Sequence, residues 1–209
     1  MTKISVSILP ADFSNLEKEI KELEKAGADM IHFDVMDGQF VDNITFGDYL
    51  IKSLRNKSNL PFDTHLMIEN PEKQVKKFLD AGSDMITIHI EAIDDNFFKI
   101  KKIVEYYKKK FGIAINPETQ VNKIEPYINY VNHVLVMTVK PGAFGRDFIN
   151  QTEKIEYLKR FKNIEIGVDG GINDTNSKIL IDAGAHYLVS ASFIFRNNYA
   201  DAIKRLKGL

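Results

Sequence analysis

The chain has 209 residues, a length that single-domain α/β barrels often have, and its 44% apolar content is enough for one large core. Its formal net charge of −1, with acids and bases interspersed, argues against nucleic acid or an anionic membrane as a partner and favours a small ligand. Without cysteine, a transmembrane run or a secretory leader, the sequence excludes disulfides and thiol catalysis and predicts a cytoplasmic protein.

Strands and helices are predicted to alternate along the chain. The β-branched segment 3–8 predicts the first strand, and Ser14 with Glu17 forms a capping-box pattern that opens the first helix, which Gly27 ends. The other predicted strands are residues 30–35, 62–67, 85–90, 112–115, 134–137, 164–168 and 187–189. The other predicted helices are residues 48–55, 71–81, 96–109, 121–128, 152–160, 175–183 and 199–206.

Eight strand and helix pairs are the number that closes a (β/α)8 barrel, the fold that we predict. An Ala-Gly pair recurs between a helix and the next strand at residues 26–27, 81–82 and 183–184, where glycine is expected as a left-handed cap. An open, doubly wound α/β sheet is the main alternative. Because no linker rich in Pro, Gly or Ser interrupts the alternation, we expect one domain over residues 1–209.

Polar side chains are concentrated at the predicted carboxyl ends of the strands, where such barrels have their active sites. Alternate side chains of a strand share a face, so His32 and Asp34 point to the same side. Ser7, His65, His89, Glu91 and Asp169 also lie at strand ends. A single histidine on an apolar strand is more often a core residue, but two histidines and two aspartates together can hold one divalent metal.

Two further groups of residues follow the strands. The loop 140–145, the pair Gly170 and Gly171, and residues 190–192 follow strands six, seven and eight, where barrels often bind phosphate through backbone N–H groups. The paired glycines could instead serve only a tight turn. Met36, Met67 and Met137 lie at strand ends; they are either core residues or a water-poor surround for a substrate.

Several motifs stand in one order along nearly the whole chain: Ser7-Ile8-Leu9, residues 32–38, Asn43-Ile44-Thr45, His65-Leu66-Met67, His89 with Glu91, Asn116-Pro117, residues 136–139, Pro141-Gly142 and Val168-Asp169-Gly170-Gly171. In this order the sequence resembles the ribulose-phosphate 3-epimerase family. The resemblance implies a ribulose-phosphate-binding TIM barrel and an isomerase of the pentose phosphate pathway that interconverts D-ribulose 5-phosphate and D-xylulose 5-phosphate. It also implies a homo-oligomer.

The resemblance further assigns roles to residues of this sequence. One divalent metal would be held by His32, Asp34, His65 and Asp169, and protons would be moved by Asp34 and Asp169 through a metal-stabilised 2,3-enediolate. Met36, Met67 and Met137 would flank that enediolate. The implied substrate contacts are Ser7, His65, Gly142, Ala143, Phe144, Gly145, Gly170, Gly171, Ala191 and Ser192.

The proposed chemistry has an independent physical basis. Inverting a carbon next to a ketone requires acid–base groups on both of its faces, and a metal on the adjacent oxygens stabilises the enediolate. Among divalent metals zinc fits a histidine and carboxylate site best, with iron, manganese and cobalt as alternatives.

The sequence departs from the family pattern at the phosphate loop, usually Pro-Gly-Phe-Gly-Gly-Gln, which here ends in Ala143, Phe144, Gly145 and Arg146. Glu118 resembles the allulose-6-phosphate 3-epimerases, so a D-allulose 6-phosphate 3-epimerase is one alternative. A non-catalytic barrel that binds sugar phosphates is another. The related decarboxylases and hexulose-phosphate synthases use an Asp-x-Lys strand end, and Met36 at the lysine position disfavours their chemistry.

Overall fold

Eight parallel strands form a closed barrel in the computed structural model, which describes residues 1–142 and 147–209. The strands are β1 Lys3–Ser7, β2 Met30–Met36, β3 Phe62–Met67, β4 Met85–His89, β5 Lys110–Ile115, β6 His133–Met137, β7 Glu165–Asp169 and β8 Tyr187–Ser190. Each strand pairs with the next in the chain, and β8 pairs with β1. The predicted (β/α)8 barrel is therefore confirmed, and the open sheet is excluded.

Helices connect the strands around the outside of the barrel. The α-helices are α1 Leu16–Lys25, α2 Asp48–Arg55, α3 Val75–Ala81, α4 Phe97–Tyr106, α5 Thr152–Leu158, α6 Ser177–Ala183, α7 Ser192–Phe195 and α8 Tyr199–Leu206. More tightly wound 3-10 segments occur at Pro71–Lys73, Ile90–Ala92 and Val121–Tyr130. The last of these replaces a predicted α-helix because Pro126 lies inside it and cannot donate a backbone hydrogen bond.

The predicted helix ends are partly confirmed. Gly27, Gly82 and Gly184 all have positive φ, at 92°, 107° and 124°, as expected of glycines that follow helices. The predicted capping box is wrong, because Asn15 is the residue before α1 and the hydroxyl of Ser14 donates instead to the Asp12 carboxylate at 2.6 Å. Asp12 thus builds a turn of its own ahead of the helix.

Two apolar clusters stabilise the barrel, one on each face of the sheet. The larger cluster packs the outer faces of the strands against the helices and includes the fully buried Phe33 and Ile86. The smaller one contains Met30, Leu135 and Tyr187 and lies on the inner face. Alternation along the strands produces this division, since Met30 shares the inner face with His32 and Asp34. The inner cluster therefore forms the floor beneath the carboxyl ends of the strands.

The opposite, amino-terminal mouth of the barrel carries an ion cluster. Lys3 of β1 and Lys110 of β5 both donate to Glu165 of β7, at 2.7 and 2.9 Å. Burial raises the pKa of Glu165, but the two lysine hydrogen bonds outweigh that effect and lower it to about 2. Among the helices of the described part of the chain, none has the length and apolar character that a membrane crossing needs.

Candidate active site

Four side chains from three strands converge at the carboxyl mouth of the barrel. His32 and Asp34 share the inner face of β2, the register pairs Asp34 with His65 of β3, and Asp169 ends β7. One donor atom from each residue lies within 4.8 Å of all the others. The structure thus brings together the four residues that the sequence suggested as metal ligands.

The spacing of these donor atoms suits a small divalent cation. Asp34 Oδ1 lies 3.3 Å from both His32 Nε2 and His65 Nδ1, and Asp169 Oδ2 lies 3.6 Å from the same His65 nitrogen. Tetrahedral ligands about 2.0–2.2 Å from a zinc ion stand roughly 3.3–3.6 Å apart. His32 Nε2 is buried and has no hydrogen-bond partner among the described residues, as expected of a nitrogen reserved for a cation. The four residues therefore fit a divalent metal.

A third carboxylate, Asp63 of β3, supports His32 from behind. Its Oδ2 lies 2.8 Å from His32 Nδ1 and also accepts the Ser5 hydroxyl at 3.0 Å, and all three residues are buried. Because a carboxylate only accepts, Nδ1 carries the proton and Nε2 faces the cluster with its lone pair. Sequence reasoning missed Asp63, although its position two residues before His65 places it on the same face of β3.

His65 is also supported on its far side, by a different arrangement. Its Nε2 lies 2.8 Å from Nε2 of His89, whose Nδ1 lies 3.1 Å from Oε2 of Glu91. Burial lowers the pKa of His89 to about 4. Both residues were singled out in the sequence as strand-end groups, and the structure places them behind the cluster rather than in it.

The surrounding side chains shift the pKa values of Asp34 and Asp169 in opposite directions. Burial raises the pKa of both carboxyls, but His32 and His65 outweigh it at Asp34 and bring the pKa of that residue below its ordinary range. At Asp169 burial dominates and the charge of Asp34 adds to it, so its pKa is raised. Two carboxyls with separated pKa values are suited to serve as a base and an acid on one substrate.

Hydrogen bonds hold the end of β2 around Asp34 in position. The Ser7 hydroxyl donates to Asp34 Oδ2 at 2.6 Å, and Thr45 donates to the Asp34 carbonyl at 2.7 Å while accepting the N–H of Met36 at 3.0 Å. Asp37 points away and accepts the backbone N–H groups of Gln39, Phe40 and Glu69, so it organises the loops after β2 and β3. That matches the turn role which its position after the strand suggests.

A cavity of about 310 Å³ opens above the cluster. Predicted residues that line it are Ser7, Asp34, Met36, Met137, Asp169, Gly170, Gly171, Ala191 and Ser192. Asn173, Arg196 and Asn197 line it as well and were not predicted. Met67 and Gly142 do not reach its wall; Met67 is buried, and the carbonyl of Gly142 accepts from the Asn43 side chain. Ala143, Phe144, Gly145 and Arg146 lie outside the described residues.

A closed parallel barrel with paired carboxylates and a candidate metal centre at its carboxyl mouth has the architecture and the side chains that acid–base enzymes use. Comparisons with known proteins define the family. Residues 3–195 match the model of the ribulose-phosphate 3 epimerase family. The chain therefore belongs to the ribulose-phosphate 3-epimerase family, a family of isomerases, as the sequence motifs predicted.

Individual members of the family align with this chain over 90% or more of their own length. The chain is 40% identical to the ribulose-phosphate 3-epimerase of Bacillus subtilis, and the alignment covers 100% of this chain and 99% of that protein. It is 42% identical to the enzyme of the same name from Methanocaldococcus jannaschii, with 99% and 90% covered. The solved structure of 3-hexulose-6-phosphate synthase from Salmonella typhimurium has a TM-score of 0.78 at 13% identity, covering 99% of this chain and 97% of that one, which shows a shared fold.

Proposed function

We propose that this protein interconverts D-ribulose 5-phosphate and D-xylulose 5-phosphate by proton transfer at C3, using one divalent cation per chain. The observation that carries the proposal is the pair Asp34 and Asp169, which reach one cavity from β2 and β7 and share a candidate metal site with two histidines. The strands β1 and β8 separate β2 from β7 around the barrel, so the two carboxylates approach from different sides. The names of the relatives above support the same substrates.

The two carboxylates divide the work of inversion. One removes the C3 proton from its face, and the other delivers a proton to the opposite face; their roles exchange when the reaction runs backwards. Asp34 is assigned as the base because its lowered pKa keeps it ionised and ready to accept a proton, and Asp169 is assigned as the acid because its raised pKa lets it hold a proton more readily. A bound divalent cation would supply positive charge to stabilise the negative charge that develops on the substrate oxygens. Zinc is the proposed cation, with iron, manganese and cobalt as alternatives.

The remaining cavity wall supplies the proposed contacts to the rest of the substrate. Gly170, Gly171, Ala191 and Ser192 line the cavity and form the proposed phosphate end. Phosphate contacts from Gly142, which does not line the cavity, and from Ala143, Phe144 and Gly145, which lie outside the described residues, remain predictions from the sequence. The hydroxyl of Ser192 is buried without a hydrogen-bond partner among the described residues, which suits a ligand oxygen. Arg196 adds a positive charge to the same wall. Met36 and Met137 line the cavity and are proposed to keep water away from the reacting carbon, whereas the buried Met67, predicted to share this role, does not line it.

Asparagine substitutions test the two-base assignment, because Asn keeps one oxygen for the cation and loses the acid–base function. We expect Asp34→Asn and Asp169→Asn each to lower the rate of inversion by about 10²–10⁴-fold. In deuterated water each variant keeps one base, so each is expected to exchange the C3 proton of one epimer only, and the two variants should favour opposite epimers. Asp182→Asn, an exposed change on α6, is the matched control.

The outcome that contradicts the assignment is full inversion activity in either asparagine variant. The substrate is tested in the same assay by comparing kcat/KM for D-ribulose 5-phosphate and D-allulose 6-phosphate with zinc, iron and manganese. A clear preference for the hexose phosphate would replace the pentose assignment. A protein that converts neither sugar and exchanges neither C3 proton would be a binding barrel.

A further inference from the structure

Two buried imidazoles, on β3 and β4, and one partly exposed carboxylate just after β4 form a line that leads away from the metal cluster. His65 Nδ1 faces the cluster, its Nε2 contacts His89 Nε2 at 2.8 Å, and His89 Nδ1 contacts Glu91 Oε2 at 3.1 Å. Both imidazoles are fully buried, and the ring of Phe40 packs on His89 with 4.8 Å between ring centroids. Water therefore cannot reach the contact between the two imidazoles without opening the barrel wall.

Glu91 is held at the outer end of this line. Its other oxygen, Oε1, accepts the N–H of Asn116 at 3.0 Å and the hydroxyl of Thr119. Lys154 of α5 donates in turn to the carbonyls of Asn116 and Pro117, both at 2.7 Å. Every described contact to the Glu91 carboxyl thus comes from a donor or from the His89 ring, which makes Glu91 an ionised acceptor.

The positions of the protons on the two imidazole rings can be assigned by starting at Glu91 and proceeding towards the metal cluster. Because Glu91 only accepts, the Nδ1 of His89 carries a proton and its Nε2 carries a lone pair. That lone pair accepts from Nε2–H of His65. The Nδ1 of His65 is then left with its lone pair directed at Asp34 and Asp169, which is the state that a metal ligand needs.

We propose that His89 and Glu91 are positioning residues that fix the tautomer of His65, so that Nδ1 is presented as a metal ligand. This inference rests on the metal site of the proposed function. Without an acceptor at His89, the Nδ1 of His65 would gain from carrying a proton and donating it to Asp34 Oδ1, 3.3 Å away. That proton would occupy the place of the cation, and zinc would have to displace it.

The two ligand histidines are therefore prepared in opposite ways. His32 presents Nε2 because Asp63 accepts directly from its Nδ1 at 2.8 Å. His65 presents Nδ1 because an imidazole stands between its Nε2 and the carboxylate of Glu91. Partners of this kind change metal affinity by about 10–100-fold when they are removed.

The test compares the zinc affinity of the full chain and its variants, each stripped of metal by a chelator and titrated in competition with a chromophoric chelator. His89→Phe keeps a ring but removes the acceptor, and we expect it to weaken zinc binding by about 10–100-fold. His89→Gln restores an acceptor near the Nε2 position and is expected to retain most of the affinity. His133→Gln, a buried histidine that contacts Thr87 instead of the cluster, is the matched control and should bind zinc normally.

A second readout separates positioning from a general loss of packing. In the zinc-loaded, nitrogen-15-labelled protein, the Nε2–H proton of His65 should give a low-field resonance that persists in His89→Gln and moves upfield in His89→Phe. Glu91→Gln, at a partly exposed position, should fold normally and weaken zinc binding to a smaller degree, since an amide can either donate or accept and no longer dictates the proton of His89. Wild-type zinc affinity with an unchanged resonance in His89→Phe would overturn the inference. A wild-type chain that binds no zinc would overturn it together with the proposed metal site.

Discussion

Replacing Gly167 by alanine is expected to destabilise the barrel from its interior. Gly167 of β7 pairs with Tyr187 of β8, and the tyrosine ring crosses over the glycine. A Cβ added to Gly167 would lie 2.1 Å from Tyr187 Cζ, whereas ordinary contact begins at 3.4 Å. The ring would have to move by the difference, about 1.3 Å, in a closely packed interior.

Tyr187 has no free direction in which to move. It is 1% exposed and packs with Met30 and Leu135 inside the barrel. Overpacking of this kind costs about 1–3 kcal/mol. For a chain of this size each kcal/mol lowers Tm by roughly 2–4 °C, so the expected fall in Tm is about 2–12 °C.

Thermal and urea unfolding of the full chain would measure the effect. Gly47→Ala is the matched control, because its φ of −111° suits alanine and nothing lies within 4 Å of the added Cβ. A double variant with Tyr187→Leu should be destabilised by less than the sum of the two single changes, since leucine vacates the space that the new methyl group needs. The reasoning is refuted if Gly167→Ala unfolds at the same temperature as Gly47→Ala.

Three further predictions concern charge and metal. Glu165→Gln should lower the free energy of unfolding at neutral pH. Because the folded pKa of Glu165 is about 2, its stabilising effect is present above its ordinary pKa and is lost as the pH falls towards 2. Urea titrations of the variant and the wild type should therefore give the same free energy of unfolding near pH 2. Ser7→Ala should lower kcat roughly tenfold or more, because hydrogen bonds to charged groups contribute about 1.5–3 kcal/mol; an unchanged kcat would show that Asp34 does not depend on Ser7. Removing metal with a chelator should lower Tm by roughly 5–10 °C, and adding zinc should restore it, because a ligand at a hundred times its Kd stabilises the folded state by about 2.7 kcal/mol. A Tm that does not change with zinc would contradict the metal site.

The fold could be predicted from the sequence because its signals are local and repeated. Hydrophobic periodicity marked the strands, and the glycines at 27, 82 and 184 marked helix ends that the structure confirms. Closure needed only the number of strand and helix pairs. Two local predictions were wrong, and each depended on the residues of a single turn. The hydroxyl of Ser14 donates to Asp12 instead of capping the helix, and the segment that contains Pro126 has 3-10 geometry instead of α-helical geometry. The four-residue helix α7 is too short to show a period.

The metal cluster could also be anticipated, because alternation on one strand joins His32 to Asp34 and the barrel gathers all strand ends. Its supporting residues could not. Asp63 shares a face with His65, yet only the register that sets Asp63 opposite His32 makes it a partner of that histidine. Register between parallel strands is a tertiary property that no local pattern shows. The same is true of His89, which the sequence marked as a strand-end group without a role.

The different supports of the two histidines are consistent with the charge of the site. Asp34, Asp169 and Asp63 already place three carboxyls in or beside the cluster, against the two imidazoles and the one divalent cation of the proposed site. A fourth carboxylate in direct contact with His65 would add negative charge in the buried interior, where repulsion between like charges is strongest, and would raise the pKa of the base Asp34. With His89 in between, Glu91 stands farther away and is partly exposed to solvent, and Asn116 and Thr119 donate hydrogen bonds to its carboxylate. The imidazole of His89 thus passes on the orienting hydrogen bond while water and distance weaken the field of the carboxylate.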